Sequence, residues 1–81
     1  MNGNFGYFVS VTEYERGWGS KPDGYVVFNS EKEADYFLKQ EYASRGNQVP
    51  DYYLDYSKSG YRPISQGLAN AISNNGKAYV D

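Results

Sequence analysis

The stretch GYVVFNSEKEADYFLKQEYASRG, residues Gly24 to Gly46, decides the fold. Its opening residues Tyr25, Val26, Val27 and Phe28 are β-branched or aromatic, which suits a half-buried strand. A helix is expected directly after it. Ser30 and Glu33 have the spacing of a capping box, in which the serine hydroxyl accepts from an orphan amide of the first turn. Ala34, Phe37, Leu38 and Tyr42 then fall on one apolar stripe, while Glu31, Lys32, Asp35, Lys39 and Gln40 lie off it. Such a helix lays its dry side on a sheet. Arg45 suits the negative C-terminal end, and Gly46 offers the left-handed stop.

Before this stretch, Phe5, Tyr7, Val9 and Val11 alternate with Phe8, Ser10, Thr12 and Tyr14, the pattern of a strand whose odd-numbered side faces the core. Phe8 and Tyr14, on the other side, serve as edge packing or as a contact surface. Tyr14 to Gly24 contains three glycines, a proline and an Asp-Gly pair, and reads as a long connection between two antiparallel strands. Trp18 stands in it between two glycines. It either folds back as a lid on a small core or stands in solvent as an anchor, and Arg16 beside it suits a ring face or a carboxylate.

After the helix, Asn47 to Asp51 reads as a loop, because Pro50 forces extension before it. Tyr52 to Tyr56 alternates as a third strand, Ser57 to Gly60 reads as a turn, and Tyr61 to Ile64 as a short return that Pro63 confines to an edge. Ser65 suits the cap of a second, weaker helix with Leu68, Ala71 and Ile72 on one side. Asn74, Asn75 and Gly76 end that helix, and Lys77 to Val80 offers a last strand. The expected fold is a single small α+β domain over residues 1–81: an antiparallel sheet of three or four strands, one main helix packed on one face, and a weaker second helix.

Composition narrows function more than it names it. There is no histidine and no cysteine among the 81 residues, so triads, thiolate metal sites and the usual neutral-pH base are missing. Glu13 and Glu15 share a strand side at a carboxylate spacing seen in glycosidases, but solvated strand acids are far commoner. We expect no enzyme, no metal and no cofactor. The lack of a long apolar run and of a secretory pattern leads to the expectation of a soluble, cytoplasmic protein. Ten tyrosines, four phenylalanines and one tryptophan stand beside few aliphatic residues, so tyrosines must supply part of the core and also rim it. Surface tyrosine, tryptophan and arginine are also the residues richest in binding energy. The residues expected to meet a partner are therefore Tyr14, Arg16, Trp18 and Lys21 in the first connection, with Tyr52, Tyr53, Tyr56, Tyr61 and Arg62 in the densest aromatic cluster. Two other readings stay open. Stacked aromatics suit single-stranded nucleic acid, although a net charge of −2 lacks the basic stripe that dominates such affinity. The tyrosine-rich 52–61 segment also suits self-association.

The run from Tyr14 through Arg16, Gly17, Trp18 and Gly19, then Asp23, Gly24, Phe28, Glu33, Ala34, Val49, Pro50, Asp51 and Tyr53, resembles a pattern in small accessory proteins of tailed bacteriophages. The likeness covers residues 5 to about 64. Proteins of that kind are often host-takeover or anti-defence factors, anti-CRISPR inhibitors among them. What the resemblance implies is a bacterial host protein as partner, bound in the host cytoplasm. No catalytic residue comes with it.

Overall fold

A computed structural model of the chain describes residues 3–45 and 51–81. Its elements run β1 (Asn4–Glu15), β2 (Gly19–Phe28), α1 (Glu31–Arg45), β3 (Tyr52–Ile64), α2 (Gln66–Asn75) and β4 (Lys77–Val80). The strands form one antiparallel sheet in the order β3-β1-β2-β4. The expected α+β class and main helix are found, and the sheet takes the larger of the two strand numbers.

Val26 and Val27 are neighbours on β2 and therefore point to opposite sides of the sheet. Both are fully buried, so both sides must be covered. On the first side Val9, Val11, Val26 and Phe28 pack with Ala34 of α1, flanked by Phe37, Leu38, Leu54 and Tyr56. The odd-numbered side of β1 is thus the core side, as its alternation predicts. The second side belongs to α2. Both ends of α2 lie at the same end of the sheet, since Ile64 faces Asn4 and Lys77 faces Phe28. Ten residues of helix rise about 15 Å, which matches the three strand spacings from β3 across to β4. The helix thus crosses the strands there, meeting β1 and β4 and burying Ile72 completely. Gly6 lies beneath this layer, where an added Cβ would stand 2.5 Å from the Val27 side chain.

Both helices start as the sequence predicts. The Glu33 amide donates to Ser30 Oγ at 3.3 Å, and the Leu68 amide donates to Ser65 Oγ at 3.1 Å. Gly76 closes α2 in the left-handed region, its amide donating to the Ile72 carbonyl. Gly46 and the loop expected up to Pro50 lie outside the described residues. Side chains tie α1 to β3: Lys58 pairs with Glu31 and Asp35, and the Tyr42 hydroxyl donates to the Tyr56 carbonyl at 2.8 Å.

Two expectations from the sequence are corrected. The connection expected from Tyr14 to Gly24 is only a three-residue turn, Arg16 to Trp18, because Gly19 to Lys21 pair in register with Glu15 to Glu13. Pro22 is tolerated there because β4 covers β2 only from Tyr25 to Phe28, leaving no ladder bond for the missing N–H. Gly24 is needed where β2 meets the end of β4: its φ is 91° and a Cβ would stand 2.3 Å from the Val80 carbonyl. Likewise Ser57 to Gly60 is no turn. It is the middle of β3, where Lys58 pairs with Val9 and Gly60 with Phe8, and the extra residue Ser59 is absorbed as a bulge.

Replacing Ile72 by alanine empties the centre of the α2 layer. The expected loss is roughly 2–5 kcal/mol, a large part of the stability of so small a domain, and urea unfolding followed by circular dichroism would measure it.

Candidate functional site

β1 and β3 run on past both helices. The molecule measures 48 × 23 × 19 Å, with a radius of gyration of 13.9 Å against about 12 Å for a compact domain of this length. A three-stranded blade therefore projects from the body, ending in the Arg16 to Trp18 turn. The turn is closed by the Trp18 amide donating to the Glu15 carbonyl at 2.9 Å, with Gly17 at φ 85° in its third position, where other residues are strained.

The tip is fixed to β3. The Arg16 amide donates to the Asp51 carbonyl at 2.7 Å, and the Arg16 guanidinium meets the Asp51 carboxylate at 3.2 Å. Both side chains are 81% exposed, so the ion pair adds at most about 1 kcal/mol, and the backbone bond is the firmer tie. Behind it the Tyr14 and Tyr53 rings stack with centroids 5.0 Å apart and planes 13° from parallel. These residues line a cleft of about 480 Å³. Trp18 stands clear of it, 83% exposed. A three-residue turn has no length to fold back onto the core, so the indole is not a lid on it.

On the second side of the sheet, next to the residues that α2 covers, Phe8, Tyr25 and Arg62 are each half-buried. Arg62 lies over the rings of Phe8 and Tyr25, 4.9 and 5.2 Å from their centroids, and donates to the Ser59 carbonyl and hydroxyl. Ser10 and Ser57 share a hydrogen bond across the strands. Arg62 is thus held in place and half-buried, a fixed polar stud among rings.

The expected site residues separate by side. Tyr14, Arg16, Trp18 and Tyr53 come together at the tip, and Arg62 lies lower on the second side of the sheet. Lys21, Tyr52, Tyr56 and Tyr61 are on the α1 side, so the tyrosine cluster of β3 is no single patch. Alternation puts Tyr53 opposite Tyr52, and the Ser59 bulge brings Tyr61 onto the α1 side, where it packs on Phe5 and Tyr7. Asp51, which sequence reasoning left out of the site, holds the tip in place. Its partner is 35 positions away, beyond the reach of any local pattern.

On the α1 side of the blade, Glu13 accepts from the Tyr52 hydroxyl at 2.8 Å and pairs with Lys21 at 3.2 Å. These contacts lower its pKa below the ordinary 4.5, the tyrosine bond foremost, and raise that of Tyr52. Burial, followed by the nearby Glu41, pushes Tyr56 up to about 12. Lys58 is raised by Asp35 and Glu31. Among the described residues no group of three acidic side chains is gathered to hold a metal, and no helix is long and apolar enough to cross a membrane.

Compared with protein-family models, with curated proteins and with solved structures, the chain matches none, so the phage resemblance gains no support there.

The lowered Glu13 stabilises the fold above pH 4.5, and that contribution is lost as pH falls through the lower folded value. Glu13→Gln should therefore be less stable than the parent at neutral pH and lose less on acidification. Urea midpoints taken between about pH 7 and 3 would show the two curves converging.

Proposed function

We propose that the chain is a non-catalytic binding protein that engages a protein partner through the blade tip, and inhibits or redirects that partner by occupying its surface. The observation that carries this reading is Trp18, held 83% exposed on a turn fixed to two strands. An indole in water is costly to keep and profitable to cover. Burying some 200 Å² of it would contribute about 5 kcal/mol before the cost of association. Arg16 and the Tyr14 and Tyr53 pair lie at the same tip and are residue types that dominate measured interfaces. Little freedom is lost on binding, because the turn is already closed. The phage resemblance supports a bacterial host protein as the partner, bound in the cytoplasm.

The rings on the second side of the sheet favour a second reading, single-stranded nucleic acid stacked on Phe8 and Tyr25. Against it, Arg62, the cation beside those rings, is pinned to Ser59, and Arg16, Lys21 and Lys58 are paired with carboxylates, so little positive charge is offered to the phosphates of bases stacked there.

The deciding experiment is capture from bacterial lysate with the immobilised chain and its Trp18→Ala variant, whose unfolding should match the parent because the indole is 83% exposed. The parent should retain a specific protein that the variant loses at least tenfold. Equal retention by both, or a retained species released by nuclease and by moderate salt, would defeat the reading.

A further inference from the structure

A groove of about 1,050 Å³ runs along the flank of α1 that faces β4, away from the blade tip. Its lining includes Phe28, 4% exposed, and Phe37, with Tyr36, 65% exposed. Three lysines line it: Lys32 and Lys39 from α1 and Lys77 from the start of β4.

The charge pattern is what gives the groove a direction. Arg16, Lys21 and Lys58 are each within ion-pair distance of a carboxylate, and Arg62 is spent on rings and on Ser59. Lys32, Lys39 and Lys77 have no ion pair among the described residues. Two acids share the rim, but Asp35 is already held by Lys58, leaving Glu33 against three free ammonium groups. A chain of net charge −2 thus gathers unpaired positive charge around an aromatic hollow. Lys32 and Lys39 are seven residues apart, two helical turns or about 10 Å.

We propose that this groove is a second binding site, taking an acidic amphipathic segment of a partner protein. The segment would carry carboxylates about 10 Å apart, the i, i+7 spacing of a helix, with an apolar side chain between them to enter over Phe28 and Phe37. The lysine stems extend the apolar walls while their ammonium groups meet the carboxylates at the rim. The site is independent of Trp18.

The test uses a fluorescein-labelled 14-residue peptide with a leucine stripe flanked by glutamates, titrated with the full chain by anisotropy. Binding should saturate, weaken as salt is raised, and fall at least tenfold in the Lys32→Gln, Lys39→Gln, Lys77→Gln variant, with Trp18→Ala unchanged. Amide shifts of the unaltered chain on adding peptide should cluster at Phe28, Tyr36 and Lys77, a readout that does not depend on the variant folding. The proposal is overturned if the peptide does not saturate, if its lysine-for-glutamate counterpart binds as well, if the shifts fall elsewhere, or if the triple variant folds and binds equally. It is also overturned if the chain ignores the peptide and binds phosphatidylglycerol vesicles instead.

Discussion

Two adjacent valines on β2, both without solvent contact, set the terms for the rest of the molecule. One strand cannot hide consecutive side chains unless something lies on each side of it, and a chain with only eleven valines, leucines and isoleucines has little to spend on doing so. It solves the problem with unequal layers. A fifteen-residue helix runs over the sheet on one side, and a ten-residue helix straps across its near end on the other. The fully sealed core is small, and partly buried tyrosines and phenylalanines complete its margin. Among the described residues no buried side-chain polar atom lacks a partner, so ring burial does not strand a hydroxyl.

That economy leaves the tip of the sheet without a helix over it among the described residues. The far ends of β1, β2 and β3 hold together through ladder bonds, cross-strand ring pairs and charge pairs, among them Tyr14 on Tyr53 and Glu13 between Tyr52 and Lys21. Each exposed contact is weak. Their number, on strands already in register, keeps the projection straight.

Among the described residues, local patterns hold where the deciding interaction is itself local. The serine caps, the α1 stripe, the β1 alternation and the Gly76 stop all follow from neighbours within four residues. Errors came where distant pairing overrode local signals. Ser57 to Gly60 has the composition of a turn, yet pairing with β1 holds it extended and turns the surplus residue into a bulge. Gly19 to Asp23 looks like loop for the same reason, and becomes strand because Glu13 to Glu15 lie opposite. The division of the β3 tyrosines between two sides follows from alternation and that bulge together, and the bulge is invisible until the partner strand is known. Trp18 was undecided in sequence because its fate depends on turn length, which only the pairing of Glu15 with Gly19 defines.

The projecting part of the sheet is one layer thick for much of its length. A wedge of that shape can enter a slot in a larger body that would turn away a rounded protein of equal mass, and it brings its most oily group in first. Were the tip to enter such a slot, the bulk of the two helices would set how deep it travels.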